Sequence, residues 1–389
     1  MHPLRQIRIV GVLSLRTLHT RIRSSWVIVA ALTVVSVVLL SALAVREGII
    51  LAYLGVGHAD RAIITSMGSV REVGSAIPGS SLGPILDAPG IRKAPDGGPL
   101  AEAETYEFYG PLTQRNQDTG ATGIRGIGPK GLQISPEIRI AEGRYLRSGT
   151  REVLAGVLAR QRFAGTELGD RITLLDGGQW TVVGHFSTGT FLDGEFIVDP
   201  QVMSSALRRT TYNTVLVSLK SSESLEDLKN ALTTNPALSV TVERQSDFWK
   251  RQFDNLPVAP LILDYVVSLL LAAGAVSGIL HTMHSTVGAR AREIAILRTV
   301  GFGGYPVAVA IVCEAMLFAG IGAVIGTAID WLWLNEYPMM AAYGVFRIRV
   351  TPHLLGVALG WALATALVGA IVPAVQEARL EVVDALGRV

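Results

Sequence analysis

The sequence predicts an α-helical membrane bundle of four transmembrane helices, with N- and C-termini cytoplasmic, plus an α+β extracytoplasmic domain inserted between helices 1 and 2. Three observations carry that expectation. Hydrophobic residues make up 49% of the 389 residues and charged residues 17%, with a mean hydropathy of +0.41. That balance is too apolar for a soluble enzyme and too charged for a chain lying wholly in lipid. Four stretches reach the roughly 20 apolar residues that a helix needs to cross a hydrocarbon core. Between the first and second of them the chain turns polar, with more Gly and Pro and no further span.

Residues 1–24 carry Arg5, Arg8, Arg16, Arg21 and Arg23 and no acidic residue. The bias of Lys/Arg toward cytoplasmic flanks places this arm inside. Leu4, Ile7, Leu15, Leu18 and Ile22 fall on one side of a helical wheel with Arg5, Arg16 and Arg23 opposite, the pattern of an amphipathic helix lying in the headgroup layer. Residues 25–46 are the first span. Its uncharged run exceeds the roughly 7–15 residues of a signal-peptide core, so Ala42-Leu43-Ala44 is read as membrane sequence rather than a cleavage site.

The remaining spans are 258–284, 305–333 and 353–376. Four crossings place 47–257 and the short loop 334–352 outside, and the 285–304 segment and the tail 377–389 inside. Arg290, Arg292 and Arg298 against Glu293 agree with an inner 285–304 segment, whereas Arg347 and Arg349 in the outer loop oppose the rule.

Within the insert, short alternating runs predict strands over 61–70, 104–109, 171–175, 180–186, 195–198, 214–219 and 239–243. Helices are expected over 157–163, 201–208 and 224–232, the last capped by Ser222 or Ser224. Asp176-Gly177-Gly178-Gln179 reads as a hairpin turn. Catalytic constellations are not legible here. His58 and His185 stand alone, which favours ordinary core or surface roles over metal ligation. A net charge of +2 gives no field for nucleic acid.

The sequence has no Gly-x-x-x-x-Gly-Lys-Ser/Thr phosphate loop. Gly126-Ile-Gly-Pro-Lys-Gly131 is glycine-rich, but Pro129 removes an N–H donor and no hydroxyl residue follows Lys130. The chain is therefore expected to bind no cofactor and to be no enzyme by itself. Asp264 and Asp330 lie near outer span ends, where solvation or a structural role is expected, and Glu314 lies deeper. His281 and His284 close the second span in an interfacial position. Cys313, the only cysteine, is expected as a small buried hydrophobe. Gly274/Gly278, Gly322/Gly326 and Gly356/Gly360 have the spacing that lets helix backbones approach.

The inner 285–304 segment is rich in helix formers up to Gly301, which suits either a short stiff helix with a polar rim and Ile294 and Leu297 as anchors or, equally, a plain solvated loop. Its residues Gly288, Arg290, Arg292, Glu293, Ile294, Leu297, Arg298 and Gly301, followed by Glu314, Gly320, Gly322 and Gly326, carry a recognisable signature. So do Pro373-Ala374, Ala378-Arg379-Leu380 and Asp384-Ala385-Leu386. Together they resemble the FtsX/MacB-like ABC transporter permease superfamily, in the type that has no fused ATPase domain. His281 and Val382 depart from the common pattern, where asparagine and proline are usual.

The resemblance implies a MacB-like core domain over 47–257. It also implies a bacterial inner-membrane protein with a separate ABC ATPase subunit that holds ATP and Mg, and a second permease chain as a homodimer. Arg290, Arg292, Glu293, Ile294, Leu297, Arg298 and Gly301 would form the ATPase coupling helix. Glu314, Gly322 and Gly326 would be structural within the membrane. Expected function is ATP-driven movement transmitted to the outer domain for export of an amphiphilic, lipid-like or drug substrate. A periplasmic adaptor, an outer-membrane channel and membrane lipids would be further partners. An FtsX-like regulator of a cell-wall hydrolase, a lipoprotein-releasing permease and a ligand-binding sensor without ATPase remain the alternatives.

Overall fold

The computed structural model describes residues 22–254, 266–267, 269–281, 303–341 and 344–379. The predicted amphipathic arm (to Arg21), Asp264, His284, the coupling residues Arg290–Gly301 and the tail beyond Arg379 lie outside the described residues. The chain divides into two compact units, Met1–Glu47 with Pro257–Tyr337 and Ile348–Val389, and Gly48–Leu256 with Pro338–Arg347.

The first unit is helical. Among the described residues three helices are long and apolar enough to cross a membrane, over Ile28–Leu54, Gly304–Trp333 and Pro352–Gln376, and Leu269–His281 is a shorter apolar helix. We number the longer helices α1 (Ile22–Leu54), α2 (Ser224–Thr233), α3 (Gln245–Asp254), α4 (Leu269–His281), α5 (Gly304–Trp333) and α6 (Pro352–Arg379). Pro306 and Pro352 sit in first turns, where the missing N–H costs no intrahelical bond.

Residues at four-residue spacing face inward: Ile28 and Leu32 of α1, Ala275 and Ile279 of α4, Ile311, Ala315 and Ala319 of α5, and Ala366, Ala370 and Ala374 of α6. Val324 and Leu332 of α5 and Val368 and Val372 of α6 point outward and are exposed. Apolar faces this broad require lipid around them.

One expectation about a single residue in this unit is corrected. Cys313 is exposed on α5 rather than buried, because the inward stripe passes through Ile311 and Ala315 and leaves position 313 on the other side. Asp330, for which solvation or a structural role was expected, is 1% exposed and accepts a hydrogen bond from Ser41 Oγ at 3.0 Å. The charge of Arg349, which argued against an outer location, is offset by Glu336 at 3.2 Å.

The second unit is α/β. Its main sheet runs in the order β12-β1-β11-β3-β4-β9-β6-β8-β5, with β7 on β8. The strands are β1 (Arg61–Ser66), β3 (Ala101–Thr113), β4 (Thr119–Gly126), β5 (Arg139–Gly143), β6 (Glu152–Gly156), β7 (Arg171–Leu174), β8 (Gly178–Ser187), β9 (Phe196–Val198), β11 (Thr214–Ser218) and β12 (Val240–Arg244). Two small antiparallel pairs complete the unit, β2 (Ile77–Pro78) with β10 (Thr211–Tyr212), and β13 (Pro338–Ala341) with β14 (Gly344–Arg347).

Ladders β4–β9 and β6–β8 are parallel and the others antiparallel. One sheet thus serves two cores. Ile64, Val215, Val217, Leu228 and Val242 bury one half under α2. Ile124, Val153, Phe163, Trp180 and Phe196 bury the other under the short helices Val157–Arg162 and Pro200–Ala206.

The hairpin at Asp176–Gln179 joins β7 to β8 as expected. The α2 cap is different: Glu223 holds the N-cap without a side-chain bond, and the Ser221 and Ser224 hydroxyls bond each other at 3.0 Å. Sequence reading missed β4, β5, β6 and the β13–β14 hairpin.

Candidate coupling junction and ligand pocket

Four stretches of chain meet at one short turn of the second unit. Residues Phe191–Gly194 form a 3-10 turn whose N-cap Thr190 accepts from the Leu192 N–H. Asp193 closes the preceding loop by accepting from the Thr188 N–H and hydroxyl and from the Gly189 N–H at 3.1 Å. On this rigid turn the Phe191 ring packs against Tyr53 at 5.1 Å between centroids and against Trp249 at 5.0 Å. Tyr53 belongs to the last turn of α1, and Trp249 to α3, which precedes the second apolar segment in the chain. The β13–β14 hairpin, which separates α5 from α6 in sequence, presses on the same turn. A Cβ on Gly194 would fall 2.8 Å from Val345 Cβ, so the close approach requires glycine.

Glu195 follows directly, 1% exposed, and leads into a buried ionic cluster. Arg125 of β4 is its centre. Its Nη1 and Nη2 donate to the two oxygens of Glu72 at 2.9 Å each, Nη1 also to Glu104 at 3.2 Å, and Nε to Glu195 at 3.2 Å. Its guanidinium also lies 4.8 Å from the centroid of the Tyr106 ring. Asn213 fixes the frame: its Nδ2 donates to the carbonyls of Glu72 and Ser75, and its Oδ1 accepts from the Tyr106 N–H at 2.8 Å.

Three carboxylates surround one guanidinium. Burial pushes Glu104 and Glu195 up to about 7 from the ordinary 4.5, against the pull of Arg125 and with the added repulsion of Glu72. For Arg125 burial works against the charge, but the carboxylates outweigh it and hold the guanidinium ionised.

A cavity of about 260 Å³ opens beside this cluster. Six of its ten lining residues are aromatic: Tyr53, Tyr106, Phe108, Phe191, Phe248 and Trp249. Glu72 reaches it from the cluster, and Arg71 and Val73 stand at its exposed edge. The Gln252 side chain donates to the Val70 carbonyl, tying this edge to the end of α3.

Of the residues singled out in the sequence, Arg290, Arg292, Glu293, Ile294, Leu297, Arg298 and Gly301 lie outside the described residues. Glu314 is buried in α5 at 7% exposure. Gly322 and Gly326 meet α1: a Cβ at either would stand 2.8 Å from a backbone oxygen, of Val29 and Thr33 respectively. Thr33 Oγ1 reinforces the contact by donating to the Gly322 carbonyl at 3.1 Å. Gly274, Gly278, Gly356 and Gly360 have no neighbour within 4 Å where a Cβ would stand, so the same spacing makes no close approach there among the described residues. His185 is a core residue whose Nε2 lies 2.8 Å from the Thr166 carbonyl, and Lys130 donates to the Pro99 carbonyl. The junction and the ionic cluster were not found from sequence, because their members come from distant positions. The only local signal was a charged residue, Glu104 or Glu195, at the start of a predicted strand.

Comparisons with known proteins bear on the whole chain. The MacB-like periplasmic core domain matches residues 27–235, more than half of the chain, and the FtsX-like permease C-terminal domain matches residues 265–382. Among solved structures, the extracellular domain of the noncanonic ABC-type transporter YknZ from Gram-positive bacteria is similar at 16% identity. That match has a TM-score of 0.36 and covers 47% of this chain and 99% of that one. The search of curated proteins found no match. The chain belongs to the FtsX/MacB-like family of ABC transporter permeases, as a multi-pass membrane protein with an extracellular domain.

Proposed function

We propose that this chain is the permease subunit of an exporter and transmits movement from a separate ATPase subunit to its extracellular domain. The observation that carries this reading is the junction at Phe191–Gly194. The passage out of α1 (Tyr53), the passage toward α4 (Trp249) and the link from α5 to α6 (Val345) all press on one turn of the extracellular unit. Displacement of any of these helices is therefore delivered to one point, and from Glu195 onward to β9 in the middle of the sheet. Such a linkage suits an amphiphilic or lipid-like substrate displaced outside the membrane. It also suits a homodimer on two ATPase subunits in the bacterial inner membrane, working with a periplasmic adaptor and an outer-membrane channel.

Topological parity supports four spans with inner termini. The β13–β14 hairpin and residues 48–256 share one compact unit, so they lie on one side of the membrane. Only one long apolar helix, α5, is described between them, and a return to the same side needs a second crossing. The apolar segment containing α4 supplies it. Crossings by α1 and α6 would put both termini opposite the extracellular unit, a reading supported by the five arginines of residues 1–24, which favour the cytoplasm.

The test is Glu293→Lys in the inner 285–304 segment, with the chain co-expressed with the ABC ATPase subunit that copurifies with it. We expect the complex to form a folded permease whose ATPase activity no longer responds to it. Unchanged coupling in that variant, or labelling of a cysteine placed at position 290 from the extracellular side, overturns the reading.

A further inference from the structure

We infer that the aromatic cavity beside the Arg125 cluster is a binding site for an organic cation, a protonated or quaternary amine carried on an apolar body. Two independent features point to that chemistry. The first is the wall. The faces and edges of Tyr53, Phe191, Phe248 and Trp249 pack within 5.0–6.4 Å of one another along the cavity, and Phe108, 39% exposed, completes it. Aromatic faces attract a cation through their quadrupole, and more strongly where water is excluded. An apolar body fills the rest of the space through ordinary burial.

The second feature is the floor. Glu72 lines the cavity, and behind it Glu104 and Glu195 share Arg125, so three acids oppose one buried positive charge. The other charged or titratable groups around these acids and rings are Glu102, Tyr106, Arg61, which is paired with Glu137, and Arg251, which is paired with Glu243, so none brings an uncompensated positive charge. Arg71 is the one cation on the lining, and it is exposed at the edge, where water screens it. A ligand cation entering the wall therefore meets a dry negative floor. Its arrival favours the ionised form of Glu104 and Glu195, which at neutral pH are partly protonated. Cation binding and proton release are thus linked, and affinity rises with pH through about 7.

The experiment is isothermal titration calorimetry on the full chain in an uncharged maltoside detergent. The probes are benzyltrimethylammonium, its neutral carbon isostere neopentylbenzene, and octyl sulfate as an anionic amphiphile. We expect the cation to bind, tightening up to about tenfold from pH 6 to pH 8 as a proton is released. The heat should vary with buffer ionisation enthalpy at pH 7. Phe108→Ala, at an exposed position that leaves the core intact, should weaken the cation about two- to fivefold. Glu195→Gln, close to isosteric, should weaken it further at pH 8 and flatten the pH dependence. Binding of the neutral isostere as tight as the cation would mean an apolar pocket without charge preference and overturns the inference. Preferential binding of octyl sulfate, lost in Arg71→Ala, overturns it in favour of an anionic lipid. Binding requires no ATPase partner, so this outcome is separate from that of the coupling test.

Discussion

The two units of this protein bury acidic side chains in opposite ways. In the helix bundle Asp330 is almost fully buried with one hydrogen bond, from Ser41, and its second oxygen has no partner among the described residues. In the extracellular sheet three glutamates converge on one arginine that donates to all of them. The first is a local contact between two helices that already pack. The second joins four separate chain segments, and its members hold one another ionised or protonated as a set. A polar group added to a preformed contact costs little to lose, whereas a shared cation cannot be withdrawn without stranding its partners.

That contrast can be broken first at Arg125. Arg125→Met leaves three buried acids without compensation and should destabilise the extracellular unit by about 3–5 kcal/mol. Thermal unfolding of the full chain in detergent would read it, and the loss should be smaller at pH 6 than at pH 8. An equal loss at both pH values would mean that the acids are not the reason.

Gly322→Leu addresses the bundle. The side chain would collide with the α1 backbone at Val29. Overpacking of this kind costs about 1–3 kcal/mol, seen as a lower melting temperature of the helical unit. Gly274→Leu, where nothing among the described residues stands within 4 Å, serves as the neutral control.

The third effect is pH itself. Glu104 and Glu195 have folded values of about 7 against 4.5 for the free group, so the folded chain holds protons that the unfolded chain releases. Their stabilising contribution is complete below 4.5 and is lost as the pH rises through about 7. Between pH 6 and pH 8 the change is about 1 kcal/mol per carboxylate. Denaturant midpoints of the wild type and of Glu104→Gln at the two pH values check it, with the variant flatter. Ser41→Ala is the smallest effect, about 0.5–1.5 kcal/mol for one hydrogen bond to Asp330, and is readable by the same melt.

Legibility in the sequence followed the same division. Span helices were plain because 18 or more apolar residues have few other uses. Strands β1, β8, β11 and β12 were plain because Ile, Val and Thr alternate or run there with turn residues at their ends. Strand β4, Thr-Gly-Ala-Thr-Gly-Ile-Arg-Gly, was hidden by its three glycines, which read as loop. Strand β6 ran into the helix that begins at Val157, and its Leu-Ala-Gly gave no period to separate the two. The hairpin of residues 338–347 was hidden by brevity, since two four-residue strands look like any short loop. Arg125 was hidden more deeply. Its three acids lie at positions 72, 104 and 195, and only the sheet order brings them together.

The inward side of α6 carries Ala358, Ala362, Ala366, Ala370 and Ala374, one methyl per turn, with Leu354, Thr365 and Pro373 buried beside them. Small side chains let the neighbouring helices come near, and Ile279 of α4 fills the gap at Gly369, where a Cβ would fall 2.9 Å from it. The alanines thus set how near the neighbouring helices come, and the single isoleucine over Gly369 sets where along α6 its neighbour stops.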